Sequence, residues 1–234
     1  MKIFDSITSN KVSGMLDTIR HEMKYTAHLT GISSLSVKTE QALTNVLREK
    51  FVPPSMRACA YDDSALPLSH GQTISQPFIV ALMTELLAVD DAHTVLEVGT
   101  GCGYQSAVLS LLARQVYSLE IVAALAAEST ERLHKLHFDN VQVKQGDGYR
   151  GWPEHAPYDG IIVTAAAPAL PEPLIGQLKV GGKMVLPIGL PNLHQELFVL
   201  EKDEKGDIFT KNVLPVAFVP LTRETPSETL LPQS

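Results

Sequence analysis

The sequence predicts an α/β protein built on a doubly wound, mostly parallel sheet, with an antiparallel strand pair at one edge and added N-terminal helices. Three observations predict it. From residue 94 onward, strand-length apolar runs alternate with helix-length patterns. The first run, Thr94–Val98, leads into Gly99, Gly101 and Gly103, which read as a tight turn between a buried strand and a helix. After Gly189 the pattern changes to two strand-like runs around a polar turn. The 234 residues are 44% hydrophobic and 19% charged, so a substantial core is expected and wholesale disorder is not.

Residues 1–50 read as helical. Val12, Met15, Leu16 and Ile19 recur at helical spacing, as do Leu43, Val46 and Leu47, with a break at Thr30-Gly31. These two helices are expected to cover one edge of a larger body, and Pro53-Pro54 ends the region. Residues 55–77 are expected to be irregular but packed. Asp62, Asp63, Pro67, Ser69 and Gly71 are turn formers, while Tyr61, Leu66, Leu68 and Ile74 are apolar. A helix from Pro77 to Leu87 follows, with its proline in the first turn.

The alternating region predicts strands at 94–98, 115–120, 141–145, 159–164 and 183–188. It predicts helices at about 104–113, 121–136 and 170–178. Glu196–Leu200 and Ile208–Val216 then form the antiparallel pair, around a turn containing Gly206. The expected organisation is one domain over 1–222: a helical cover (1–54), a ligand-binding core (77–190) and C-terminal strands (191–222). Residues 223–234, rich in Pro, Ser, Thr and Glu, are expected to form a loose tail.

Composition excludes several classes. A formal net charge of -7 argues against a nucleic-acid partner, which demands a basic face. Cys59 and Cys102 make no disulfide framework, and the N-terminus lacks the layout of a signal peptide. No apolar run reaches the roughly 18–20 residues of a membrane span. The expectation is a reduced, cytoplasmic protein without membrane attachment. The eight histidines are scattered without metal-ligand spacing, so no metal is expected. Oligomeric state is not legible.

The chemistry concentrates around the glycine turn. About twenty residues beyond Gly99, the second apolar run ends in Glu120, the spacing of a carboxylate that accepts ribose hydroxyls. The glycines follow G-x-G-x-G, not the G-x-G-x-x-G of a dinucleotide site, and no Lys or Arg falls between Asp90 and Leu112 to hold phosphate. The pattern resembles motif I of S-adenosylmethionine-dependent methyltransferases, whose cofactor carries a ribose and a sulfonium but no phosphate. Glu97 is expected beneath the turn, fixing its amides. Gly146-Asp147-Gly148 follows the third strand. Asp147 there is placed to accept from an adenine amino group, and Gly148 lets the loop pass close to the ring. Asp159–Pro168 opens into a loop of small residues, which either leaves room for a ligand or fills a tight core. The loop Gly71–Pro77 carries hydroxyls at Thr73 and Ser75. By spacing alone Ser75 reads as a helix N-cap.

Together these segments resemble the protein-L-isoaspartate O-methyltransferase family, in its bacterial branch. The likeness runs from Arg48-Glu49-Lys50-Phe51-Val52 through Ala65-Leu66-Pro67-Leu68 and Gly71-Gln72-Thr73-Ile74-Ser75-Gln76-Pro77. It continues through Met83–Leu87, Val95–Tyr104, Gly146-Asp147-Gly148 and Tyr158–Ala166, and ends with Val180-Gly181-Gly182, Leu186–Gly189 and Phe218-Val219-Pro220-Leu221. The Gln72–Pro77 loop is the most specific of these. The resemblance implies a Rossmann-like fold. It implies an enzyme that methylates the free α-carboxylate of L-isoaspartyl residues in damaged proteins and peptides, with S-adenosyl-L-methionine as donor and S-adenosyl-L-homocysteine as product. The methyl ester then closes to a succinimide that can reopen to aspartate.

The resemblance also implies residue roles. Ser75 is implied at the active site, as an orienting donor to the carboxylate. Leu66 and Val219 are implied, with Ser75, in enclosing the isoaspartyl group. Cofactor contacts are implied for Gln72, Thr73, Ile74, Glu97, Gly99, Thr100, Gly101, Cys102 and Gly103. They are implied also for Glu120, Ile121, Gly146, Asp147, Gly148 and Thr222. Cys102 stands where many relatives carry serine, Ala217 where bacterial relatives often carry arginine, and residues 1–40 match poorly. A same-fold methyltransferase acting on another carboxylate or small molecule, and a cofactor-binding homologue without catalysis, are the alternative readings.

Overall fold

The computed structural model describes residues 6–191 and 193–223. Most of the expected tail, from 224, lies outside the described residues. Helix α1 (Ser6–Thr30) buries the stripe Val12, Met15, Leu16, Ile19 and Met23 and ends at Gly31, whose φ of 80° only glycine adopts readily. Helix α2 (Val37–Asn45) is capped by Ser36, whose side chain accepts from the Thr39 amide. Val46 and Leu47, expected within this helix, lie beyond it. Val46 is extended, and the chain tightens into a 3₁₀ turn over Arg48–Lys50 that delivers Arg48 into the interior.

The segment expected to be irregular contains a miniature hairpin. Strand β1 (Leu66–Pro67) pairs antiparallel with β2 (Thr73–Ile74), Leu66 opposite Ile74. Helix α3 (Pro77–Leu87) follows with the expected bounds.

The main sheet has β3 (Thr94–Val98), β4 (Gln115–Glu120), β5 (Val141–Gln145), β6 (Tyr158–Val163) and β7 (Leu178–Gly189), all mutually parallel. The antiparallel strands β8 (Gln195–Lys202) and β9 (Ile208–Val216) complete it. The spatial order is β5-β4-β3-β6-β7-β8-β9. Two boundaries differ from expectation for visible reasons. Helix α4 (Tyr104–Ser110) stops early, because the Asn140 side-chain amide donates to the carbonyls of Ser110, Ala113 and Arg114 and ends the helix there. Strand β7 starts at Leu178, already opposite Tyr158, and shifts register before Gly160 pairs with Lys183. Helix α6 is accordingly confined to Glu172–Gln177, while α5 spans Ala123–Lys135.

Alternation along the strands builds two apolar layers. Val95, Val116, Ile162 and Val185 face the layer formed with α1–α4. Their neighbours Leu96, Ile161 and Met184 face the other, with Trp152, Tyr158 and Leu174. Helices on both faces leave the strand ends as the open side, where the chain reverses direction between β4 and β6 on either side of β3.

Candidate active site

A cleft opens at the carboxyl ends of β3, β4, β5 and β6. It brings together Gln72, Thr73, Ile74 and Ser75 on one wall with Gly99, Thr100, Gly101 and Cys102 of the glycine turn. Glu120 and Ile121, Gly146 and Gly148, and Val219 and Thr222 line the remainder. Four expected residues do not line it: Leu66, Glu97, Gly103 and Asp147.

The glycine turn is held by the neighbouring strand. The amides of Gly99 and Thr100 donate to the Leu119 carbonyl at 2.8 and 3.2 Å, and the Gly101 amide donates to Glu120 Oε2 at 2.7 Å. Gly99 sits at φ 99°, and a Cβ there would run into the Thr164 hydroxyl. That hydroxyl lies 2.6 Å from the Gly99 carbonyl oxygen, to which it donates. Glu120 is 5% exposed, and its Oε1 accepts from the Val122 amide at 3.0 Å. Each carboxylate oxygen thus holds one backbone amide and keeps acceptor capacity for a ligand in the cleft. Gly103 starts α4 and packs on Leu133 instead of facing the cleft.

Glu97 does not fix the turn amides. It is fully buried, and its Oε2 accepts from the hydroxyls of Ser106 and, at 2.7 Å, Ser118. Ser118 in turn lies 2.6 Å from the Thr100 hydroxyl. Since the Ser118 proton is directed at Glu97, Thr100 donates to Ser118. Burial pushes the Glu97 carboxyl up to about 7, against the two serine hydroxyls, which favour the ionised form, with nearby Glu120 pushing it further up. Glu97 therefore supports the turn from below through Ser118 and Thr100, while Leu119 and Glu120 take the amides.

Ser75 is not a helix cap. The N-cap position of α3 is Gln76, without a side-chain cap bond. Asp63 does the capping from a distance: its Oδ1 accepts from the Phe78 amide at 2.9 Å and its Oδ2 from the Gln76 side chain at 2.6 Å. The Ser75 carbonyl accepts from Arg48 Nη2 at 2.6 Å. Its hydroxyl has no partner among the described residues, and Ser75 lines the cleft. Leu66, buried behind this wall, supports it by pairing with Ile74.

On the opposite side, Asp147 caps a 3₁₀ turn, accepting from the Tyr149 amide at 2.9 Å, with Arg150 3.8 Å away. Its side chain is spent on that turn, so it is Gly148 that reaches the cleft, where a Cβ would overlap Val98. Residues 218–222 form a strap across the site. The Ala166 amide donates to the Val219 carbonyl and the Leu221 amide to the Ala166 carbonyl, both at 2.8 Å. Gln195 holds Phe218 at both its amide (2.7 Å) and its carbonyl (3.2 Å).

Sequence reasoning missed Tyr104 and Gln105, which line the cleft, and left open whether the small-residue loop faces a ligand; its Thr164 and Ala165 line the cleft too. Thr164 enters only because β6 pairs beside β3, a register no local motif declares. Cys102 is buried, and burial pushes its thiol pKa up, which disfavours the reactive thiolate.

Among the described residues Glu120 is the single charged side chain lining the cleft, with no Lys or Arg. That lining suits a ligand with vicinal hydroxyls and a positive charge, and offers no cation for phosphate.

The comparisons with known proteins agree. A family model described as protein-L-isoaspartate(D-aspartate) O-methyltransferase matches residues 26–226. The protein-L-isoaspartate O-methyltransferase 2 of Syntrophobacter fumaroxidans is 52% identical over 208 residues, covering 89% of this chain and 84% of that protein. A solved protein-L-isoaspartate O-methyltransferase superposes with a TM-score of 0.75 at 28% identity, covering 88% of this chain and 65% of that one. A Plasmodium falciparum structure, described as a putative member in complex with S-adenosyl-L-homocysteine, gives a TM-score of 0.72. It is 23% identical and covers 89% of this chain and 98% of its own.

Proposed function

The chain belongs to the protein-L-isoaspartate(D-aspartate) O-methyltransferase family, and we infer that its cleft serves the family's reaction with the Ser75 hydroxyl as donor to the substrate. That reaction transfers a methyl group from S-adenosylmethionine to the free α-carboxylate of an L-isoaspartyl residue, the step that opens its repair. The observation that carries the reading is Ser75, whose hydroxyl has no partner among the described residues, lining the same cleft as the glycine turn and Glu120.

The lining fits the cofactor. Glu120 would accept the ribose hydroxyls, Gly148 and Ile121 would border the base, and the glycine turn would admit the ligand without side chains in the way. S-adenosylmethionine supplies, when bound, a methyl group on positively charged sulfur. The substrate carboxylate, with an ordinary pKa near 4, is ionised at neutral pH and needs no general base. The work left to the protein is placement and exclusion of water. Ser75 donates one hydrogen bond to the carboxylate, orienting it without neutralising it as a Lys or Arg ion pair would. Val219 and the strap cover the opposite side, and Leu66 holds the Ser75 loop from behind.

The test is methyl transfer from labelled S-adenosylmethionine to two peptides that differ only in carrying L-isoaspartate or aspartate at one position. Base-labile label on the isoaspartyl peptide alone is expected. Label on neither peptide, with S-adenosylhomocysteine still bound, would remove the substrate assignment and leave the fold and cofactor.

A further inference from the structure

We propose that Arg48 is a positioning residue for methyl transfer: its buried guanidinium holds the backbone of the Ser75 loop so that the Ser75 hydroxyl stays free for substrate. The proposal rests on the reading of Ser75 given above.

Arg48 is fully buried. Its Nε donates to the Ala60 carbonyl at 2.8 Å and its Nη2 to the Ser75 carbonyl at 2.6 Å, with the Ser64 carbonyl 3.5 Å away. No carboxylate forms an ion pair with it among the described residues. Asp63, an acid close enough to act on it, has given both oxygens to Gln76 and Phe78. Sinking a cation without an ion pair is a costly way to gain stability, since an apolar side chain of similar volume would fill the same space without the desolvation penalty. What the guanidinium supplies, and an apolar group cannot, is a rigid planar fork of donors. Here the fork ties together two chain segments, at 60–64 and at 75.

The guanidinium carbon lies over the Tyr104 ring, 5.0 Å from its centre, and Tyr104 lines the cleft at the start of α4, one residue past the glycine turn. Arg48 therefore spans the gap between the wall carrying the hydroxyl donor and the turn that receives the cofactor. It binds Ser75 through the backbone carbonyl, an arrangement that fixes the residue and leaves its side chain unspent. Asp63 fixes the next residues, Gln76 and Phe78, from the other side. An error of about 1 Å in such placement costs on the order of a hundredfold in rate.

The test crosses two positions: Arg48→Lys and Arg48→Met, each with Ser75 intact and with Ser75→Ala. Steady-state rates on an isoaspartyl peptide are read beside S-adenosylhomocysteine affinity by calorimetry. With Ser75 present, Arg48→Lys is expected to lower kcat roughly tenfold or more and Arg48→Met further, with S-adenosylhomocysteine affinity held within about threefold. On the Ser75→Ala background the same Arg48 change is expected to add less than about twofold, because it acts through a hydroxyl that is gone. Full multiplicative losses, or cofactor affinity falling in step with kcat, would overturn the proposal. So would failure of both variants to fold and bind S-adenosylhomocysteine, since Arg48 would then hold the whole domain and not this loop. The two readings separate cleanly. Ser75→Ala with undiminished rate removes the role of Ser75, whereas an impaired Ser75→Ala beside a fully active Arg48→Lys removes only the role of Arg48.

Discussion

Ser75 and Glu97 show how its partners decide what a polar side chain is left free to do. Ser75 keeps its hydroxyl because Asp63 caps α3 and Arg48 takes the carbonyl. Replacing it by alanine removes one hydrogen bond to a charged group, about 1–3 kcal/mol of transition-state stabilisation, so kcat/KM should fall roughly 10- to 100-fold. S-adenosylhomocysteine affinity, measured by calorimetry, should stay within about twofold, because the turn and Glu120 are untouched. Glu97 is the reverse case, a buried carboxyl whose hydrogen bonds come from serine hydroxyls. Its pKa rises from 4.5 unfolded to about 7 folded, so folding takes up a proton between those values. The stability this contributes is complete below about 4.5, declines through the interval and is lost above about 7. Relative to wild type, Glu97→Gln should therefore look better at pH 8 than at pH 5, by up to about 3 kcal/mol in urea unfolding. An equal difference at both pH values would mean that Glu97 is already ionised at pH 5. The sequence announced Glu120 through its spacing from the glycines. It could not announce the partners of Glu97, because Ser106 and Ser118 come from a helix and a strand that meet only after folding.

At the scale of elements, the central strands were legible because each is a short apolar run between breakers, and α3 because its proline and its apolar content mark both ends. The hairpin at 66–74 was not, since two-residue strands carry no periodicity. The early stop of α4 was hidden too, as the side chain that enforces it is Asn140, thirty residues on. The strap at 218–222 belongs to the same class: nothing local says that it crosses the cleft. Its main side-chain tether is Gln195, which is 4% exposed and meets both polar groups of the Phe218 backbone. Gln195→Ala leaves those groups unpaired, a loss of about 1–2 kcal/mol that should appear as a roughly fivefold to thirtyfold weaker hold on peptide or cofactor. The expected signature is a raised KM and a raised S-adenosylhomocysteine Kd, together with faster amide exchange over 218–222. Unchanged binding with unchanged exchange would assign the strap's order to its backbone bonds with Ala166 and to the Tyr149 hydroxyl on the Leu221 carbonyl.

At the scale of the molecule, the N-terminal helix closes a circuit that the sequence could suggest only as an edge cover. Helix α1 packs on α3 and on β9, and Lys211 from β9 donates to the Thr30 carbonyl at the helix end, 3.1 Å away. The strap follows β9 directly, so the N-terminal helix braces the strand from which the cleft's cover departs. Yet none of α1 lines the cleft. A global and a local effect should therefore come apart in Ile19→Ala. Ile19 is fully buried within the apolar layer that α1 shares with α3 and the sheet. Its truncation should lower unfolding free energy by about 2–4 kcal/mol, from lost burial and the cavity left behind. Well below the melting temperature kcat/KM should remain within about twofold of wild type, because the folded fraction keeps its site intact. If α1 belongs to one cooperative unit, the variant should lose helical signal and activity at the same, lowered urea concentration. Activity that survives past an early helical transition would show instead that α1 detaches on its own, and that the shared layer does not couple it to the strand leading into the strap.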